Sequence, residues 1–286
     1  DLLGTGGMGA VYRAHDETLG RDVAIKVMLK SYGDNPDFVQ AFRREAQAAA
    51  KLNHPNIAQI YSFGQEKGQP YIVMELVSGK HLDQMIAEQP GRLDPVLVTR
   101  ICADIAGGLQ MAAASNLIHG DIKPENILLN ERQQAKLVDF GIATNTSQGT
   151  GEVWGTPYYI APEKVRRQRI DYRSDIYCLG GTLYHALSGK PPFDGADAIE
   201  VVKARFKGPP APLESIRPDL DPELIAIVNR MLQFEPAMRY PTYESLLSDM
   251  RHYLGRAAPQ AAPAVKRVVI KGKASAVAGN TARVPG

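Results

Sequence analysis

Asp121, Lys123 and Asn126 lie close together in Asp121-Ile122-Lys123-Pro124-Glu125-Asn126, and Asp139 follows in Asp139-Phe140-Gly141. These residue types suit phosphoryl transfer, a reaction that asks a protein for positioning and charge rather than covalent chemistry. Asp121 can orient a hydroxyl and accept its proton. Lys123 can steady the phosphoryl group in transit. Asn126 and Asp139 offer hard oxygen atoms to Mg²⁺, which bridges phosphates. Asp-Phe-Gly alone is a weak signal. The full spacing, set between two apolar runs, is a strong one.

These groups need elements that bring them together. Gly4, Gly6 and Gly9 fit G-x-G-x-x-G in Leu2-Leu3-Gly4-Thr5-Gly6-Gly7-Met8-Gly9-Ala10-Val11. Glycines let backbone approach phosphates without a Cβ in the way. A dinucleotide-binding turn shares this spacing but runs into a helix. Here Ala10–Ala14 and Asp22–Met28 read as strands, which predicts a hairpin over a nucleotide. Val23-Ala24-Ile25-Lys26 is an apolar strand with one cation, a residue that ordinarily snorkels outward. The alanine-rich segment from Asp37 to Leu52 predicts a helix with Phe38, Phe42 and Ala46 on one face, Ala49 following, and Glu45 aboard. Residues 70–77 predict a strand. Asp94-Pro95 reads as a cap followed by Pro at the first helical position, opening a helix to about Ser115 that delivers the chain to Asp121. Ile127–Asn130 and Ala135–Val138 predict a short hairpin. Further helices are expected from Ser174 to about Leu187, from Asp221-Pro222, and from Pro241 or Thr242 to near Leu254-Gly255.

The run His119 to Leu129, Asp139-Phe140-Gly141, the glycine stretch, Val23-Ala24-Ile25-Lys26 and Ala161-Pro162-Glu163 together resemble the eukaryotic-type Ser/Thr protein kinases. The likeness is greatest to the receptor-type bacterial kinases, the mycobacterial protein kinase B group among them, and runs from residue 1 to about residue 254 in the family's order. It implies an α+β, bilobal fold: a small antiparallel lobe with one helix over 1–74, a hinge over 75–79, and a larger, mainly helical lobe over 80–255. Residues 256–286, rich in Ala, Pro and basic residues, are expected to be a flexible linker or juxtamembrane tail. The resemblance implies ATP as co-substrate, with Mg²⁺ (or Mn²⁺) held by Asn126 and Asp139, and Ser or Thr of a protein as acceptor. Asp121, Lys123, Lys26 and Glu45 become the catalytic set, with Glu45 partnering Lys26. Leu3, Gly4, Gly6, Gly9, Val11, Ala24, Met74, Glu75, Val77 and Leu128 become the nucleotide pocket, with Lys26 on the phosphates. Asp83 is a weak candidate for the ribose. Asp175 resembles the carboxylate that holds the catalytic-loop backbone, Glu163 is expected to pair with Arg239, and His54 to be structural. Thr144, Thr146, Ser147 and Thr150 are candidate autophosphorylation sites, and Thr156 is expected near Asp121 and Lys123.

Three positions that supply cations to a loop phosphate in relatives are Gly120, Ala41 and Thr144 here, all uncharged. Ordering a loop by phosphate requires charge-assisted donors, so loop phosphorylation is not expected to be the principal on-switch. Ala49 also stands where a bulky apolar residue would brace the Glu45 helix, as a homodimer partner could. The alternative reading is a pseudokinase that binds nucleotide as a scaffold, and a third is a small-molecule kinase; the intact polar set and Ala161-Pro162-Glu163 favour a protein kinase. The totals agree with a folded domain: 286 residues, 44% apolar, net charge +2. That charge gives no bulk case for nucleic-acid binding. Cys102 and Cys178 lie in apolar patterns and are expected to be reduced core thiols of a cytoplasmic protein. No unbroken apolar run of about 18 residues is present, and no span is expected. The chain opens inside a strand without Met, and is expected to be part of a longer, membrane-anchored protein.

Overall fold

The computed structural model describes residues 1–7, 9–139 and 157–257. Five antiparallel strands, β1 (Leu2–Gly6), β2 (Gly9–Asp16), β3 (Arg21–Met28), β4 (Ile60–Glu66) and β5 (Gln69–Glu75), form one sheet in the order β1-β2-β3-β5-β4. The glycine stretch therefore turns from strand to strand, as its flanks predict. Register explains which side chains share a face. Val11 lies opposite Lys26, Lys26 opposite Ile72, and Ala24 opposite Met74. Opposed residues, and residues two apart on a strand, point the same way. Val11, Ala24, Lys26, Ile72 and Met74 thus form one patch.

Helix α1 (Lys30–Gly33) is a single turn, and α2 (Pro36–Ala49) follows. The α2 helix starts a residue earlier than predicted because Asn35 caps it, accepting from the backbone N–H of Asp37 and Phe38 at 3.1 Å each, with Pro36 in the first turn. Phe42, Ala46 and Ala49 are its buried face, packed with Met28, Leu52, Ile57, Ile60 and Ile72 in a first core.

A second sheet, β6 (Gly79–His81), β7 (Ile127–Asn130) and β8 (Ala135–Leu137), lies in sequence order. The helices around it are α3 (Leu82–Glu88), α4 (Pro95–Ala114), α5 (Pro162–Val165), α6 (Tyr172–Ser188), α7 (Ala198–Lys207), α8 (Leu213–Ile216), α9 (Pro222–Met231) and α10 (Tyr243–Ala257). Asp94 and Asp221 accept from Val96 N–H and Glu223 N–H, the caps that their Asp-Pro pairs predict. The α6 helix is the axis of a second, larger core: nearly every residue from Ser174 to Ser188 is buried. Cys102 and Cys178 are free thiols inside this core, and burial pushes each up to about 12, which leaves them unreactive.

One expectation needs correction. Helix α4 is long and apolar enough to span a membrane by length and composition, with mean hydropathy 1.3. Its valines, isoleucines, leucines and alanines raise the hydropathy, while Arg100, Asp104 and Gln110 keep it from forming a continuous apolar run. Val98, Ile101, Cys102, Ile105 and Leu109 spend that apolar face on the second core.

A buried ion pair fixes α5 to the base of this core. Arg239 donates to Glu163 Oε1 at 2.7 Å and Oε2 at 2.8 Å, and to the carbonyls of Arg173, Gln233 and Phe234, while Ser174 Oγ donates to Glu163. Burial raises the Glu163 carboxyl, but these donors outweigh it and hold the group below the usual carboxylate range. Breaking one side of such a pair strands a buried charge. Glu163→Gln is expected to lower unfolding free energy by about 3–5 kcal/mol, read from urea midpoints at constant slope; a loss below about 1 kcal/mol would place the pair among ordinary surface bridges.

Candidate active site

Helix α4 ends at Ala114 and releases the chain into the loop that carries Asp121. This loop is held from below by α6. Asp175, buried in its first turn, accepts the backbone N–H of His119 at Oδ2 and of Gly120 at Oδ1, both at 2.8 Å. Burial pushes the Asp175 carboxyl up to about 6, against the two amide donors that favour its charged form. Gly120 has φ +74°, a conformation glycine adopts without steric cost. His119 is fully buried, and burial pushes it down to about 4, so the ring is neutral near pH 7. Its Nδ1 accepts the Asp121 N–H at 3.3 Å, and a backbone hydrogen bond links it to Val138.

The polar residues picked from sequence converge here. Lys123 Nζ is 2.9 Å from Asp121 Oδ2. Asn126 donates from Nδ2 to the Asp121 backbone carbonyl at 2.7 Å and more weakly to Oδ2 at 3.3 Å. Its own carbonyl accepts the Val138 N–H at 2.9 Å, which brings Asn126 beside the segment carrying Asp139. Asp139 has φ +62°, a left-handed conformation that aspartate tolerates better than most side chains.

Above the loop lies a cleft of about 840 Å³. Its lining includes Leu3, Gly4, Gly6, Gly9, Val11, Ala24, Lys26, Met74, Glu75, Val77, Asp121, Lys123, Asn126, Leu128 and Asp139. The apolar patch of the first sheet is its roof and Leu128 of β7 its floor. Gly4 and Gly6 have open space where a Cβ would be. Gly9 has a reason to be glycine: an added Cβ would sit 2.0 Å from the Val27 carbonyl oxygen. Glu75 N–H is already bonded to the Gln59 carbonyl, and its carboxylate pairs with Lys136 of β8 at 2.8 Å, tying the two sheets together. His54 is structural, as expected, with Nδ1 accepting Asn56 N–H.

Glu45 departs from expectation. Lys26 Nζ lies 2.6 Å from Asp139 Oδ1, and no Lys26–Glu45 contact occurs among the described residues. Glu45 Oε2 is buried without a hydrogen-bond partner, Glu45 does not line the cleft, and burial pushes its carboxyl up to about 7. Asp139 already meets the charge of Lys26, while the buried face of α2 is Phe42, Ala46 and Ala49, packed in the first core. Phe140, Gly141, Thr144, Thr146, Ser147, Thr150 and Thr156 lie outside the described residues, as do residues 258–286. Sequence reasoning missed Lys164, whose Nζ donates to the Gly120 carbonyl at 2.9 Å, and Lys136. Neither belongs to a motif; only the fold puts them beside their partners.

Comparison with known proteins adds an independent line. Residues 1–250 match the family model described as protein kinase domain. The chain is 41% identical over 248 residues to serine/threonine-protein kinase PknA of Mycobacterium tuberculosis, covering 84% of this chain and 57% of that protein. It is 38% identical over 260 residues to serine/threonine-protein kinase PknB of Mycolicibacterium smegmatis, covering 87% and 41%. The chain thus spans about half the length of these relatives. Among solved structures it resembles the PknI kinase domain of Mycobacterium tuberculosis, with TM-score 0.71 and 31% identity over 88% of this chain and 92% of that one.

The raised Glu45 carboxyl makes a stability prediction. A buried acid with a raised folded-state pKa favours folding when protonated, so its contribution is present below about 4.5 and is lost as pH rises through about 7. Glu45→Gln is therefore expected to raise the melting temperature of nucleotide-free protein at pH 8 and to leave it nearly unchanged at pH 4.5. An equal shift at both pH values would show that the carboxyl is not protonated on folding.

Proposed function

The chain belongs to the protein kinase domain family, and from that premise we propose that it transfers the γ-phosphoryl group of ATP to Ser and Thr hydroxyls of protein substrates. The observation that carries this reading is the convergence of Asp121, Lys123, Asn126 and Asp139 on one cleft, with Lys123 Nζ 2.9 Å from Asp121 Oδ2. Adenine fits between Val11 and Ala24 above and Leu128 below, with backbone of the segment after Met74 at its edge. Gly4, Gly6 and Gly9 lie over the phosphates. Asp121 accepts the hydroxyl proton of the acceptor, and Lys123, already beside that carboxylate, neutralises charge building on the phosphoryl oxygens.

A divalent metal is part of this reading, and Mg²⁺ is the ion of choice, with Mn²⁺ able to substitute. The donor set fits: Asn126 commits its amide nitrogen to the Asp121 carbonyl, which turns its side-chain oxygen elsewhere, and Asp139 is a carboxylate. Two hard oxygen donors with the rest supplied by phosphate and water is the ordinary Mg²⁺ arrangement. Held by Asn126 and Asp139, the ion would supply positive charge that offsets the charge of the phosphates. Lys26, on the same side of the cleft as the glycine stretch, would meet the phosphates. Brace of α2 by a second copy of the chain, cytoplasmic operation and membrane anchoring through residues outside this chain extend the proposal; the unpartnered Glu45 carboxyl supports the first and the free buried thiols the second.

A second reading, a nucleotide-binding scaffold without catalysis, is favoured by one observation, the engagement of Lys26 by Asp139 in place of Glu45. Asp121→Asn separates the two. The catalytic reading expects peptide phosphorylation to fall about 10³-fold with ATP affinity retained; wild-type protein that binds ATP and phosphorylates nothing supports the scaffold. Replacing Thr144, Thr146, Ser147 and Thr150 together with Ala is expected to cost less than about tenfold in activity, because Gly120 and Ala41 give a loop phosphate no cation to bind. A several-hundredfold loss in a peptide assay overturns that expectation.

A further inference from the structure

The peptide group between Gly120 and Asp121 is gripped at both ends. Its N–H, belonging to Asp121, donates to His119 Nδ1 at 3.3 Å. Its carbonyl, belonging to Gly120, accepts from Lys164 Nζ at 2.9 Å. The peptide before it is gripped as well, since Gly120 N–H donates to Asp175 Oδ1. A peptide group is planar and stiff. Fixing the orientation of that plane therefore fixes the direction in which the Asp121 Cα leaves the loop.

This matters at Gly120 in particular. The residue has no side chain to pack, and its φ of +74° belongs to a part of conformational space where glycine moves freely. Without outside restraint, the link just before the reacting carboxylate would be the loosest part of the loop. Lys164 supplies restraint from a rigid base. It follows Glu163, which Arg239 locks into the second core by two hydrogen bonds, and it lies in the short helix α5. Lys164 is half-buried rather than free in solvent. Its charge also faces Asp175, a buried carboxylate that has no ion-pair partner among the described residues. A charge-assisted bond to a partly buried carbonyl is stronger and shorter than a neutral one.

We propose that Lys164 is a positioning residue for Asp121: its ammonium holds the Gly120 carbonyl and so links the Glu163–Arg239 anchor to the carboxylate that meets the acceptor hydroxyl. The proposal rests on the reading of Asp121 as the catalytic carboxylate. It also gives this chain a restraint on the catalytic loop that needs no phosphate. Lys164 does not line the cleft, so its removal is expected to act on the chemical step and not on binding.

The experiment is steady-state kinetics on Lys164→Met and Lys164→Arg, with Asp121→Asn as the control and thermal melts on each. Lys164→Met is expected to lower kcat by about tenfold to a hundredfold, the scale of a small misplacement of a catalytic group. KM for ATP and for peptide should stay within about twofold. Lys164→Arg, which keeps charge and donors, should recover kcat to within about threefold of wild type. Unchanged kcat in Lys164→Met, a rise in peptide KM at constant kcat, or an arginine variant as slow as the methionine variant each overturns the proposal. If Lys164→Met does not fold, Lys164→Gln, shorter and uncharged, is judged by the same criteria. Full activity in Asp121→Asn would instead refute the underlying reading of Asp121, so the two failures are distinct.

Discussion

A single buried carboxylate holds the site together. Asp175 sits in the first turn of α6, a helix buried along nearly all of Ser174–Ser188, and accepts the N–H groups of His119 and Gly120. An unpaired amide in such a place would cost as much as a lost hydrogen bond, and an unpaired carboxylate more. Each group therefore requires the other. The consequence is that the loop carrying Asp121 cannot drift without stranding a charge in the core. The stiffness of the second core is thereby passed to Asp121, and through the Asn126 carbonyl and His119 to Val138 and the approach to Asp139.

The cleft is built on different terms. Its roof is a sheet whose register lines up Val11, Ala24, Lys26 and Met74, and its floor belongs to the second core. Among the described residues the ties between the two include the Glu75–Lys136 ion pair, the Lys26–Asp139 ion pair, and the docking of residues 56–58 on β8 through Leu137. The last is backbone to backbone. The two ion pairs are partly exposed, and in each the charge of one partner is satisfied by the other. Glu45 is the group left over, and its buried, unpaired oxygen is the local cost of that arrangement.

The anchor at Glu163–Arg239 and the clamp at Asp175 are neighbours through Ser174 and Lys164. Ser174 donates to Glu163 and is adjacent in sequence to Asp175; Lys164 is adjacent to Glu163 and reaches Gly120. Two short-range covalent adjacencies thus convert two separate buried carboxylates into one connected support under the loop. Arg239, with all five donors engaged, suits the far end of this support because its planar fork cannot rotate away without losing several bonds at once.

Much of this was legible in the amino-acid order alone. The polar residues that converge on the cleft are bunched in short stretches, and Asp121, Lys123, Asn126 and Asp139 announce themselves by type and spacing. Helix starts at Asp94-Pro95 and Asp221-Pro222 were readable because a cap acts within one turn, and the hairpin after Gly9 because alternation is a local property. The tertiary structure alone decided which anion Lys26 meets, since Glu45 and Asp139 are both reachable in principle and the choice depends on how α2 packs over a small alanine face. It alone placed Lys164 under Gly120 and Lys136 beside Glu75, and it alone showed that Gly9 is required by the Val27 carbonyl. These are contacts between segments far apart in the chain. No local pattern encodes them, because each depends on distances set by the packing of two whole cores.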